Sequence, residues 1–304
     1  MRPQTARVVA VVALLACGIA GCAPARSSGP ADRRGAAALT DAAVDLAVQA
    51  EPFRRQQSLL RWAEEELTHR CMVDRGFPQP YGPTAHGRDD TAWRPDLDAR
   101  RIRGYGFTEA APTADDQYPA GLPVTQRARY ARALTGDRDH RASLRLSSGP
   151  EFTFSASGCL AEGRAGLYGD VMAAAKVSYV PQEAHNAIYG RIAQDPVMAR
   201  ALARWASCMK RRGHPYPSME AARAAARHGP GGTDDARADR QFEVRTAVAD
   251  AECALAADVP GAAESAGRRH AVGLTSEQRR DLNSATDLRA AALVRARELE
   301  EEQR

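Results

Sequence analysis

Between residues 53 and 75 the side chains Leu59, Leu60, Trp62, Ala63, Leu67 and Cys71 recur at intervals of three and four, the period of one helix face. The same period runs through Pro196–Arg212, at Val197, Ala201, Leu202, Trp205 and Cys208. It runs again through Pro181–Gln194, where it predicts Ala184, Ile188, Tyr189 and Ile192 facing inward. A longer stripe, Leu282, Ala285, Leu288, Ala292, Ala296 and Leu299, predicts a C-terminal helix. Thr275-Ser276-Glu277-Gln278 has the form of a capping box and would open it. Further helices are expected over Leu39–Glu51, capped by Thr40, and over Gln126–Leu134, Cys159–Ala175, Met219–His228 and Asp235–Ala257. Ser143–Phe154 alternates on both sides of a Ser-Gly-Pro turn and reads as a small hairpin. The expected fold is mainly α, with two similar helical halves over 38–178 and 179–304 and the hairpin in the first.

One stretch breaks the pattern. Tyr81–Ala120 is rich in Pro, Gly, Asp and Arg and shows no sustained period, so it reads as a long loop. It holds Tyr81, Trp93, Tyr105, Phe107 and Tyr118, a high density of aromatics for a chain poor in them. Those five are the candidate binding surface, and capping of the first half's core is the competing role. Within the stretch, Arg100–Ala111 reads as an ordered turn leading into a short helix.

A decapeptide occurs twice: CMVDRGFPQP at Cys71–Pro80 and CMKRRGHPYP at Cys208–Pro217 share Cys, Met, Arg, Gly and both Pro at the same offsets. Each copy follows a predicted helix. Gly closes a helix in the left-handed conformation and Pro does not continue one, so the repeat reads as a helix end. Met would point into the core, and Arg75 and Arg212 would sit where positive charge suits the helix dipole.

The N-terminus is not part of the fold. Arg2 and Arg7 precede an apolar run, Val8–Ala20, too short to span a bilayer comfortably. Ile19-Ala20-Gly21-Cys22 follows, and the segment resembles the lipobox signal of bacterial lipoproteins. The resemblance implies cleavage before Cys22, so that 1–21 is a signal peptide, and diacylglycerol on the Cys22 sulfur. Residues 22–37, Pro-, Gly-, Ser- and Arg-rich, would then be a lipidated flexible tether. Loss of Arg2 and Arg7 lowers the formal charge from +4 to about +2. That near-neutral balance gives no support to nucleic-acid binding.

Six cysteines less Cys17 in the signal and Cys22 leave Cys71, Cys159, Cys208 and Cys253. An even set in an exported protein predicts disulfides, and four cysteines allow three pairings. Each decapeptide Cys is followed by one further Cys before the next copy or the chain end, so the simplest pairing is Cys71–Cys159 and Cys208–Cys253, one bridge per half. Metal binding or redox-active thiols is the alternative, but there is no CxxC or HExxH spacing, and a helix C-terminus raises a thiol pKa. At the level of the two decapeptides and their following cysteines, the chain resembles uncharacterised exported and lipid-anchored proteins of actinobacteria. Arg supplies all but Lys176 and Lys210 of the 42 basic residues, in keeping with a GC-rich genome.

No nucleophile elbow, phosphate-binding loop or dinucleotide fingerprint is present. No catalytic, metal-binding or cofactor residue is therefore assigned. The expected function is a lipid-anchored binding or structural protein on the extracytoplasmic face of the cell membrane, meeting a wall component or another envelope protein. A wall-acting enzyme with an unrecognised site is the alternative.

Overall fold

Each apolar stripe becomes a helix with definable ends in the computed structural model, which describes residues 38–78, 93–107, 114–229 and 236–303. Helix α1 (Asp41–Val48) starts where the Thr40 hydroxyl accepts the Ala43 N–H and stops at Gln49, which is left-handed at φ 51°. Helix α2 (Glu51–Asp74) has Pro52 in its first turn, where an N–H has no intrahelical partner anyway. Next come α3 (Leu97–Arg103), α4 (Ala114–Gly121) and α5 (Val124–Thr135). The predicted hairpin is antiparallel, β1 (Arg141–Arg145) with β2 (Glu151–Ser155), Leu144 opposite Phe152. Then follow α6 (Cys159–Tyr168), α7 (Val171–Gln194), α8 (Pro196–Arg211), α9 (Met219–His228), α10 (Ala236–Ala256), α11 (Val259–Ala271) and α12 (Ser276–Glu302). The capping box is present: the Gln278 N–H reaches Thr275 Oγ1 at 3.1 Å and the Thr275 N–H reaches Gln278 Oε1 at 3.0 Å. Among the described residues no helix is long and apolar enough to cross a membrane.

Three expectations change. The break expected at Pro181 falls earlier, at Gly169 (φ 99°), and Asp170 caps the next helix by accepting the Ala173 N–H at 2.7 Å. Pro181 lies buried inside α7; a helix already started loses one hydrogen bond there, and burial of Val180, Ala184 and Ile188 holds it together. Second, α11 is a helix beyond those expected; its buried face is largely alanine, at Ala262, Ala263 and Ala266. Third, Tyr81–Ala120 is not all loop. It contains α3 and most of α4; within Arg100–Ala111, residues 100–107 are the end of α3 and a turn, and 108–111, where the short helix is expected, lie outside the described residues. Asp96 starts α3 by accepting the Asp98 and Ala99 N–H groups, both at 3.1 Å.

The fold is mainly α, with one disulfide in each helical half. The bridges are Cys71–Cys159 and Cys208–Cys253, with Cα atoms 5.5 and 5.6 Å apart. The halves share a core. Its largest buried cluster takes Leu46 from α1, Leu144 from β1, Ile188 from α7, Trp205 from α8, Cys253 from α10 and Leu282 from α12. Helix α7 runs unbroken through the expected boundary at 178/179. A second cluster joins Leu60 and Trp62 to Leu167, Val177 and Leu293. A small third one holds Met72, Phe77, Tyr130, Ala133 and Cys159 at the end of α2.

The repeated decapeptide has one structure twice. At the end of α2 the Phe77 N–H bonds Met72 O at 2.9 Å, and at the end of α8 the His214 N–H bonds Met209 O at 2.9 Å. Gly76 (φ 85°) and Gly213 (φ 79°) bond back to Val73 and Lys210. This is the Schellman closure, which satisfies carbonyls that a helix end leaves open. Met72 and Met209 are buried, as expected. The parallel extends beyond the decapeptide. Arg75 pairs with Glu162 on α6, and Arg212 pairs with Glu252 on α10. Each Arg thus clamps the helix that supplies its own half's second cysteine. An added Cβ meets nothing within 4 Å at Gly76 or at Gly213, so each Gly→Ala change costs only the left-handed backbone strain. We expect about 1–2 kcal/mol at both, by urea unfolding. Costs differing by more than about 0.5 kcal/mol would show the two closures to be unequal.

Candidate ligand pocket beside Trp93

The structure separates the five candidate aromatics. Tyr81 lies outside the described residues, as does Cys22. Tyr118 packs at the edge of the third cluster, 5.8 Å from Tyr130 between ring centroids. Tyr105 and Phe107 stack on each other at 5.5 Å, with Arg223 over Tyr105 and Arg227 over Phe107. They belong to a buried polar knot rather than to an open surface. Asp250, 1% exposed, accepts from Trp205 Nε1 at 2.9 Å, from the Tyr105 hydroxyl at 2.9 Å and from Arg100 Nη1 at 3.3 Å. Burial pushes the Asp250 carboxyl up, and the Arg100 charge and the two neutral donors oppose it. The Phe107 N–H bonds buried Glu243 at 2.8 Å. Gly104 (φ 63°) is close by, where a Cβ would lie 2.9 Å from Glu243 Oε1. Tyr105 and Phe107 therefore cap the second half, on α9 and α10, whereas Tyr118 caps the small cluster of the first.

Of the described candidates, Trp93 lines a substantial cavity. Its ring lies parallel to Tyr189, 6° from coplanar at 4.5 Å, and Tyr189 is 44% exposed rather than inward. The cavity holds about 420 Å³. Its floor is Val48, Ile192 and Ala263, and its polar groups are Gln49, Arg94, Gln182, His185 and Asn186.

Helix α7 builds one wall. Gln182, His185, Asn186 and Tyr189 stand at i, i+3, i+4 and i+7, so they share a face. The Gln182 amide donates to Asn186 Oδ1 at 2.8 Å. His185 Nδ1 lies 3.1 Å from the Ala47 carbonyl, a contact that requires a proton on Nδ1 and leaves Nε2 as an acceptor in the neutral ring. Burial holds the His185 pKa below its ordinary value against the pull of that carbonyl, and the Arg94 charge lowers it further. Burial likewise lowers the Arg94 guanidinium, whose Nη2 is 4.0 Å from Glu264. Gln49 at the rim holds the left-handed conformation, a strained one for a side-chain-bearing residue.

Chemically, the cavity offers an aromatic face, three carboxamides, one cation and one imidazole. None of its lining residues among those described is a carboxylate, serine, threonine or cysteine. No group of three or more His, Cys, Asp or Glu among the described residues is placed to hold a metal. Sequence reading found Trp93 but missed the α7 wall. Its signal was present as a polar stripe at helical spacing in an otherwise Ala- and Ile-rich segment.

The geometry defines a helical, doubly disulfide-bonded protein with one aromatic-and-amide cavity of ligand size. No family model, curated protein or solved structure matches the chain.

Proposed function

We propose that this is a lipid-anchored binding protein of the bacterial cell envelope, held on the extracytoplasmic face through Cys22, with the Trp93 cavity as its ligand site. The carrying observation is the cavity itself: an aromatic pair, three carboxamides and a guanidinium converge on a space of about 420 Å³. Convergent polar groups over an apolar floor are the usual make-up of small-molecule sites. The two disulfides are compatible with an oxidising compartment. A ring-bearing, hydrogen-bonding wall fragment such as an N-acetylated sugar fits these groups: its ring face would meet an aromatic and its amide the carboxamides.

The test is equilibrium binding of soluble wall fragments, read by calorimetry in the parent and both variants and by tryptophan fluorescence where Trp93 is kept. Trp62 and Trp205 are buried and Trp93 is not, so the response reports the cavity. Trp93→Ala and Tyr189→Ala are expected to weaken binding about 30-fold, the loss typical of an aromatic anchor. Unchanged affinity in both variants refutes the cavity as the site. Turnover of the fragments that disappears in His185→Ala would replace binding by catalysis. The anchor is tested apart: Cys22→Ser should move the protein from the membrane fraction to the soluble one and end labelling by palmitate.

A further inference from the structure

A second cavity, of about 150 Å³, lies among α1, the first turns of α2 and α12, with Leu46, Phe53 and Leu293 as apolar walls. Arg289 lines it and is 3% exposed. Its Nη1 donates to Gln57 Oε1 at 2.8 Å and its Nη2 to the Phe53 carbonyl at 2.9 Å. The guanidinium carbon sits 4.4 Å from the Phe53 ring centroid. Nε is buried and makes no hydrogen bond. Among the described residues, no carboxylate stands at ion-pair distance from Arg289.

That arrangement leaves a buried cation whose hydrogen-bond partners are all neutral. Burial pushes the Arg289 guanidinium down to about 10, so it is charged at neutral pH. Tyr168, the neighbour that acts on it electrostatically, has its phenol pushed up by burial and is uncharged there. Asp45 also lines the cavity, yet its carboxylate is taken by Arg268 Nη2 at 2.5 Å. A guanidinium has five N–H donors in a planar fork suited to a carboxylate, and a buried charge without a counter-ion is costly.

We infer that this cavity binds a small monocarboxylate, with its charged end on Arg289 and a short apolar body against Leu46, Phe53 and Leu293. The volume is that of about five water-sized groups, which suits a four-carbon acid or the last residue of a peptide ending in a small side chain. The inference is independent of the Trp93 cavity and of the anchor.

The experiment uses the folded chain and reads Tm against ligand concentration at fixed ionic strength, since a ligand that binds only the native state raises Tm. The probes are butyrate for free acids and N-acetyl-alanine for a chain terminus, with butanol as the neutral control. A saturable rise with either acid and none with butanol supports the site, and the acid that saturates at lower concentration names the source. Arg289→Met should weaken binding about tenfold or more, by loss of a charge-assisted hydrogen bond. Ala290→Phe keeps Arg289 and changes an exposed position at the cavity edge, so it should block binding even if Arg289→Met fails to fold. No acid-dependent rise overturns the inference, as does an equal rise in Ala290→Phe. A rise with inorganic phosphate and with neither carboxylate overturns the ligand class.

Discussion

In the Asp250→Ala variant, stability is expected to fall by about 3–5 kcal/mol, the cost of breaking a buried ion pair from one side. Asp250 accepts from three groups on three elements: Arg100 on α3, Tyr105 in the turn after it and Trp205 on α8. Arg100 is 0% exposed, so its guanidinium loses a buried counter-charge. For a chain of this size the loss corresponds to a drop in Tm of about 5–10 °C. Tyr105→Phe removes one neutral donor and should cost only about 1 kcal/mol. Chemical unfolding of the two variants against the parent checks both. A cost for Asp250→Ala near that of Tyr105→Phe would mean that the ion pair adds nothing to holding α3 on α10.

The second large effect is the loss of the Cys71–Cys159 bridge. The Cys71→Ala/Cys159→Ala double variant should lose about 2–5 kcal/mol, the usual range for a native disulfide. The bridges span 88 and 45 residues. Loop entropy gives upper values of about 4.6 and about 4 kcal/mol for them. Packing separates them more than loop length does. Cys253 lies within the large shared core, whereas Cys159 belongs to a small cluster with Met72, Phe77, Tyr130 and Ala133. A cluster that small buries little apolar area, so α5 and the α2 end depend on their bridge. Hydrogen exchange should therefore show local opening of α5 in the first double variant and no such opening in Cys208→Ala/Cys253→Ala. Equal protection of α5 in both variants would show that the cluster stands without its bridge.

Helices with strong stripes or a cap and stop were legible in the sequence, because period and end signals agreed, as at Thr275 and at Gly76. The disulfide pairing was legible because the repeat put one staple into each half. What stayed hidden has common causes. Helix α11 buries alanines, which give little contrast with exposed alanines in an Ala-rich chain. Pro181 has the local signature of a helix start, and the tertiary burial that overrides it leaves no mark in the sequence. The candidate cavity was half legible. Trp93 stood out by type, but its partner Tyr189 was assigned inward by a period that a partly exposed rim residue also satisfies. The Asp250 knot joins residues far apart in the chain and had no local signal.

The contacts of Ala38 and Thr40 also set how the described residues would bear a pull from the N-terminal side. The Asn283 side chain on α12 donates to the Ala38 carbonyl at 3.0 Å and accepts the Thr40 N–H at 3.3 Å, so a pull entering at Ala38 meets these two bonds first. Residues 38–70 precede the first cysteine bridge, and once α1 and α2 peel away they can extend by about 110 Å at roughly 3.3 Å per residue. At Cys71 the covalent bond carries the force directly to Cys159, and the residues between them are shielded from stretching. Residues 38–70 are thus a compliant stretch in series with a hard stop, the disulfide-closed loop that follows.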